Sequence, residues 1–330
     1  MRNALILTCL ILLTPVLFTR CEHDPLLNRD APKSKVLIQT YLEGSAIADV
    51  GISEYAVLAS KRDVRELVEI RLKEDSMIFH NKVYNPIGSI IHNDIQGLQG
   101  VDESLILVGF HRGIIMSYKN GRFGNYLPMT HLEVFDQSCK LSVSDGNTIS
   151  FLSERGKYVK TSPNALRNQG LRYSCIAACS DTVWLGTHGN GVYKITENQR
   201  VEQLAASRGS QIIRDDSIVA IRFDTWRNPV VVSRHGVAYK TNSTKWVSHI
   251  NPKGIIGQSI APHPNGDWYL GTNQGLFILS SEGMKPCALI NKHLPGNNVL
   301  ALEIDTNGVF WVATTTGLVR AELTENSNCL

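Results

Sequence analysis

The chain of 330 residues is short of most features that name a function directly. After its first 20 residues it has no apolar run long enough to cross a bilayer as a helix, which excludes a helical membrane protein. It has no block of like charge. Basic residues number 33 and acidic residues 30, and two of the basic ones, Arg2 and Arg20, lie in the leading segment, which carries no acid. What remains is nearly neutral, which excludes nucleic acid as the main partner, because neutralising phosphates needs a strong basic excess. Neither a G-x-S-x-G elbow nor an H-E-x-x-H helix occurs, so the common hydrolase and zinc-protease constellations are missing. Nor does any long stretch have helical period. Cysteine is sparse. Apart from Cys9 and Cys21 near the start, there are Cys139, Cys175, Cys179, Cys287 and Cys329. An odd set cannot all pair, and its spacing lacks the paired short intervals of a zinc site. Buried thiols with at most one or two disulfides are expected, Cys139 with Cys175 being one candidate pair.

What is there begins with "MRNALILTCLILLTPVLFTRC". One positive charge precedes an apolar run from Ala4 to Phe18, too short for a comfortable span and shaped like a secretory signal. Residues 1–20 are therefore expected to be removed, with 21–33 a linker. Cys21 follows the run directly and opens "CEHDP". This resembles a bacterial lipoprotein signal, in which such a Cys is acylated. Arg20 and Phe18 depart from that pattern, so a plain secreted protein cut nearby is the alternative. Either way the expected location is extracytoplasmic: periplasmic, or anchored at the outer membrane by a lipid and exposed at the surface.

The body of the chain repeats. "DWYLGTNQGLFIL" (267–279) is echoed by "FWVATTTGLVRA" (310–321). With the Gly of "TNQGL" as anchor, equivalents fall at Asp63, Gly113, Gly156, Gly191, Gly236, Gly275 and Gly317, spaced by 35 to 50 residues. The mean of about 42 is one four-stranded propeller blade. A hydroxyl recurs before the anchor: Ser60, Ser153, Thr187, Ser233, Thr272 and Thr314. Further upstream come a β-branched or aromatic run, a turn rich in Asp, Asn and Gly, and another short apolar run, the pattern of strands joined by hairpins. The expected fold is all-β, a seven-bladed β-propeller over 34–330. Each blade alone cannot bury both its faces, whereas a ring buries every face between neighbours. Trp184, Tyr269 and Trp311 share one slot and are expected in the core. The last copy has three strands, so "SKVLIQTYL" (34–42) is expected to supply its fourth and close the ring.

"DTNGVFWVATTTGL" and "SDTVWLGTHGNGV" resemble the repeats of the two-component regulator propeller family, found in sensor kinases and standalone exported proteins of Bacteroidetes. The match is good for copies four, six and seven and fades in copies one to three. The resemblance implies a propeller that senses extracytoplasmic ligands, often polysaccharides. It speaks to fold more than to chemistry.

The anchor turns are expected to join second to third strands on one face of the ring. Their tips carry Arg62, His111, Arg112, Arg155, His188, Arg234 and His235. Five consecutive blades thus place Arg or His at matching positions, a basic arc suited to carboxylate, sulfate or phosphate, which Arg grips bidentately. The plainer alternative is that exposed tips are simply charged. Three histidines from neighbouring blades could hold a metal in principle, but no carboxylate accompanies them, and neither a metal nor a cofactor is expected. The function expected is noncatalytic binding of an anionic ligand such as an acidic glycan, or of an envelope protein. One alternative is a propeller enzyme of lyase or lactonase type, with His188, His235 and Glu154 at the channel mouth. A second is a scaffold of an envelope complex.

Overall fold

The structure is a computed structural model. It describes residues 36–323 except 63–65, 75, 81–82, 85–89, 92–94, 103–104, 111–113, 120–121, 129–131, 134–141, 145–148, 153–157, 162–172, 180–181, 197–199, 206–216, 225, 241–245 and 281–282. All the strands lie inside one compact unit, Lys35–Leu330. Cys21, His111, Arg112, Glu154, Arg155 and the signal-like segment fall outside the described residues.

Among the described residues, seven antiparallel four-stranded sheets follow one another along the chain. Blade 1 runs, from the inside out, Ile47–Ile52, Ala56–Lys61, Leu67–Arg71 and Ser76–His80. Blade 2 holds Ile95–Asp102, Leu105–Phe110, Ile114–Lys119 and Arg122–Pro128. Blade 4 holds Tyr173–Cys179, Thr182–Thr187, Val192–Thr196 and Val201–Ala205. Blade 5 holds Ile218–Phe223, Pro229–Ser233, Gly236–Lys240 and Trp246–Ile250. Blade 6 holds Gly257–Pro262, Trp268–Thr272, Gly275–Ser280 and Gly283–Pro286. Blade 7 holds Val299–Ile304, Val309–Thr314 and Gly317–Leu323, and its outer strand is Val36–Tyr41, paired from Val36 with Leu323 to Tyr41 with Leu318. The first strands touch their neighbours in chain order, and that of blade 7 touches that of blade 1.

Blade 3 departs from the repeat. Its sheet is Leu132–Glu133, Ser142–Ser144, Ile149–Leu152 and Tyr158–Thr161. Leu132–Glu133 takes the innermost place, against the first strands of blades 2 and 4. The hairpin carrying Arg155 therefore joins the third and fourth strands of its sheet, not the second and third. The 50-residue interval after blade 1 also holds an addition that the repeat does not foretell, a two-stranded hairpin of Val83–Tyr84 and Ile90–Ile91.

Aromatic side chains fill the gaps between blades. Trp311 is fully buried and stacks on Tyr41 at 5.7 Å. Tyr269 of blade 6 meets Phe310 of blade 7 edge-on at 4.7 Å. Trp184 of blade 4 packs on Phe223 and Trp246 of blade 5. Burying each such ring stabilises the packing of these sheets by on the order of 3 kcal/mol. The cysteines follow the same logic in part: Cys175 and Cys179 are buried thiols, so Cys175 is not bridged to Cys139, while Cys287 is in a disulfide.

The repeating hydroxyl has a local cause. Thr187, Ser233, Thr272 and Thr314 are fully buried. Each donates to the carbonyl of the anchor glycine of its own turn, at 2.8 Å to Gly191, 3.1 Å to Gly236, 2.8 Å to Gly275 and 2.9 Å to Gly317. Three of them also accept a tip N–H, from Asn190, Gln274 and Thr316. The side chain satisfies backbone groups that the tight turn leaves without partners. At Gly275 the backbone is left-handed, φ +103°, and an added Cβ would lie 2.8 Å from Asn291, so only glycine fits.

Candidate functional site at the anchor end

Each sheet has two ends. The second-to-third-strand turns define the anchor end, and the first-to-second-strand turns lie at the other. The anchor end is knitted by backbone hydrogen bonds. In blades 1, 5, 6 and 7 the tip donates to the residue just before the first strand of its own blade: Arg62 N–H to Ala46, Arg234 N–H to Ser217, Asn273 N–H to Ile256 and Thr315 N–H to Asn298. These lead-in segments also bond the tip of the preceding blade. Gly257 N–H donates to the Arg234 carbonyl, Gly44 N–H donates to Thr316, and Ser217 forms a β-bridge with His188. Adjoining tips are thus tied through shared backbone, and their side chains stand on a rigid rim.

Arg62, His188, Arg234 and His235 are all exposed on this rim. The tips of blades 4 and 5 meet at one residue, because Ser217 bridges His188 and accepts the Arg234 N–H at 3.2 Å. Asn251 braces the second of these tips, donating its backbone N–H to His235 and its side-chain N–H to Arg234 at 3.1 Å. The rim therefore carries His188, Arg234 and His235 on adjoining turns, with Arg62 at the corresponding turn of blade 1. These basic residues are exposed on turns held by backbone hydrogen bonds, which suits capture of an anion rather than proton transfer from a buried group. Among the described residues, no group of three or more His, Cys, Asp and Glu side chains could hold a metal.

Just below the rim, the first strands of blades 1, 2, 4, 5, 6 and 7 each carry a one-residue bulge at the same place. Bulges re-aim one side chain and increase local twist. The residue after the bulge pairs with the second strand, and at that position Gly97, Cys175, Ala220, Ser259 and Ala301 are all small. Blade 1 has Asp49 instead. Its Oδ2 accepts the Leu98 N–H of blade 2 at 2.7 Å, and its Oδ1 accepts the Val50 N–H at 2.9 Å. Burial pushes the carboxyl up to about 6, against the lowering effect of those two hydrogen bonds and of the Arg222 charge. Arg222 itself lies 3.8 Å from Glu303 of blade 7. The sequence repeat hid Asp49, whose only signal was a charged residue where other copies have small ones.

A fully buried acid lies on the third strand of blade 1. Glu69 is fully buried and meets Arg71 Nε at 2.6 Å and His80 Nε2 at 2.8 Å. Burial alone would raise this carboxyl, but the hydrogen bonds with His80 and Arg71, beside the nearby Tyr118 hydroxyl, outweigh it and hold the group at about 2. His80 also meets Phe123 on the outer strand of blade 2 edge-on at 5.3 Å, so this cluster joins blades 1 and 2 and reads as architecture.

Comparison with known proteins agrees with this geometry. Residues 293–316, the first two strands and tip of blade 7, match the family model of the two component regulator propeller. The fold is similar to the structure of streptogramin B lyase, with 11% identity, 89% of this chain and 100% of that chain covered, and a TM-score of 0.64. It is similar to virginiamycin B lyase from Staphylococcus aureus, with 14% identity, 88% and 99% covered, and a TM-score of 0.63. It is also similar to the extracellular domain of a hybrid two component system from B. thetaiotaomicron, with 15% identity and a TM-score of 0.61. There the match covers 88% of this chain and 40% of that one, so the chain spans well under half of that domain. No curated protein matches the sequence.

Proposed function

We propose that this chain, a member of the two component regulator propeller repeat family, is an exported binding module that captures an anionic ligand at its anchor end. The observation that supports this most is the exposed set of Arg62, His188, Arg234 and His235, the last three on tips joined at Ser217 and Arg62 on a turn held to its own lead-in by a backbone hydrogen bond. A preorganised rim loses little freedom on binding. Guanidinium groups on it favour a carboxylate- or sulfate-bearing saccharide. His111, Arg112 and Arg155 lie outside the described residues; His111 and Arg112 extend the rim if their turn follows the pattern of its neighbours. Residues 1–20 act as the export signal and Cys21 carries a lipid. The test is a thermal-shift screen of the chain from Glu22 onward against acidic and neutral oligosaccharides. Stabilisation by acidic members alone, lost in an Arg62→Ala/Arg234→Ala variant, is expected. An equal response to neutral sugars refutes the reading.

One observation favours a second reading, a lyase-type enzyme. The histidine-bearing tips of blades 4 and 5 adjoin at Ser217, and the fold is shared with two lyases. Eliminative cleavage of a bound acidic saccharide produces an unsaturated product absorbing in the ultraviolet. Growth of that absorbance, abolished by His188→Ala, would favour this reading over simple binding.

A further inference from the structure

The bulges in the first strands each leave one residue unpaired just below the rim. Among the described side chains these residues are Ala48, Ser174, Val219, Gln258 and Leu300. A regular strand would send alternate side chains into the gaps between blades, and the bulge re-aims this one. Val219 stands between the buried Ile218 and Ala220, and Leu300 between the buried Val299 and Ala301, yet both are only half-buried and Ala48 is exposed. Val219 rests one side on the core between blades 5 and 6. The first strands are innermost in their sheets and touch one another in sequence around the ring. The part of these side chains left in solvent therefore faces the mouth of the central opening.

This mouth is apolar over four consecutive blades. Blade 5 supplies Val219, blade 7 Leu300 and blade 1 Ala48. Blade 6 supplies Ile256, 37% exposed, the residue before its first strand. Asn273 holds Ile256 in place, accepting its N–H at 2.7 Å and donating to its carbonyl at 3.1 Å. The bulge residue of blade 6, Gln258, is turned aside and donates its amide N–H to Asn298 Oδ1 at 2.7 Å. One apolar side chain in solvent is ordinary, but four from adjoining blades around one opening form a patch, the kind of surface that marks binding. Cations flank it, Arg234 and His235 on the blade 5 tip and Arg62 on the blade 1 tip. Of the described acids nearby, Glu66 is paired with Lys61 at 2.9 Å and Asp49 is bound to the Leu98 and Val50 N–H groups. Glu43, on the loop from Tyr41 to Ile47, is exposed.

We propose that the mouth selects an acyl-substituted acidic saccharide. The carboxylates of the sugar meet Arg62 and Arg234 on the rim, and an ester-linked acyl group enters the opening against Val219, Ile256 and Leu300. This rests on the reading of the anchor end as an anion-binding site and names its ligand more closely. Charge on the rim gives no reason for an apolar patch inside it, and an apolar ligand gives no use to the cations. A ligand that carries both groups uses each, as binding sites commonly do with apolar walls and a few placed polar groups. The walls here are aliphatic. A bare sugar ring would press hydroxyls against them without partners, which costs free energy. A short acyl chain carries no such cost.

The test is calorimetric titration of the chain from Glu22 onward, which contains every strand of the fold. The probes are trigalacturonate and its acetyl, propionyl and butyryl esters. Each methylene added to the acyl chain is expected to tighten binding by up to about fourfold as it is buried. Leu300→Asn is expected to remove this increment and to leave the affinity for plain trigalacturonate unchanged. Leu300→Ala, which keeps an apolar wall but shortens it, is expected to reduce the increment. Thermal unfolding of both variants separates a lost contact from a lost fold. Equal affinity for the plain and esterified sugars overturns this proposal and leaves the rim reading standing. An increment that both Leu300 variants keep in full does the same. Binding of every probe that Arg62→Ala/Arg234→Ala leaves unchanged overturns the rim reading and this proposal with it, as does absence of binding by every probe.

Discussion

Replacing Asp49 by Asn should stabilise the protein at neutral pH and remove part of its pH dependence. Asp49 is half-buried where the other described blades place small residues, and its carboxyl sits at about 6 in the fold against 3.8 when exposed. Protons leave the unfolded chain first, so ionisation favours unfolding between these two values. Stability contributed by the protonated acid is full below about pH 4, falls as pH rises, and is gone above about pH 6. The two-unit difference corresponds to roughly 3 kcal/mol. Asn keeps an oxygen for the Leu98 N–H but presents an amide toward the Val50 N–H or loses that bond, a cost of about 1 kcal/mol. The variant should therefore be about 2 kcal/mol more stable than wild type at pH 7.5 and slightly less stable at pH 4. Urea unfolding of both proteins at the two pH values measures this, and the difference between the differences cancels every other titrating group. A uniform loss at both pH values would refute the reasoning, because it would mean that the ionised carboxylate is a net stabilising clasp between blades 1 and 2.

Glu69 should behave in the opposite sense. Its carboxyl is held at about 2 against 4.5 when exposed, so its contribution is present above about pH 4.5 and lost as pH falls toward 2. Glu69→Gln should cost about 3 kcal/mol at pH 7 and almost nothing at pH 2, read by the same urea titration. Thr272→Val should cost about 1–3 kcal/mol, since the Gly275 carbonyl and the Gln274 N–H both lose a buried partner. Thermal unfolding checks it, and an unchanged midpoint would show that water replaces the hydroxyl.

Much of this architecture was legible because a repeat states its rules several times. The hydroxyl-x-x-Gly turns mark the second-to-third-strand hairpins in blades 5 to 7, looser copies mark them in blades 1, 2 and 4, with Asp63 for the glycine, Phe110 for the hydroxyl and one extra residue in turn, and the three-stranded last copy correctly leads to the outer strand Val36–Tyr41. Legibility failed where one copy stops obeying. Blade 3 has the hydroxyl and glycine of the pattern, yet a short strand at Leu132–Glu133 displaces the hairpin outward, and two-residue strands carry no periodic signal. The site was legible as a list of tips and not as an assembly. Nothing in "THGNG" and "SRHG" says that the two turns meet at Ser217, because that contact depends on the lead-in to the next blade. Asp49 and Leu300 were hidden for the converse reason. Each is informative only against its equivalents in other blades, and those equivalents become known once the register of the strands is fixed.

The central claim is that the anchor-end rim captures an anion. It is tested most directly by calorimetric titration of the chain from Glu22 onward with trigalacturonate and with neutral trigalactose. The account predicts binding of the acidic sugar alone, weakened by added salt and reduced about tenfold or more when Arg62 and Arg234 are both changed to Ala. Binding that the double variant leaves unchanged, or equal binding of the neutral sugar, would contradict it.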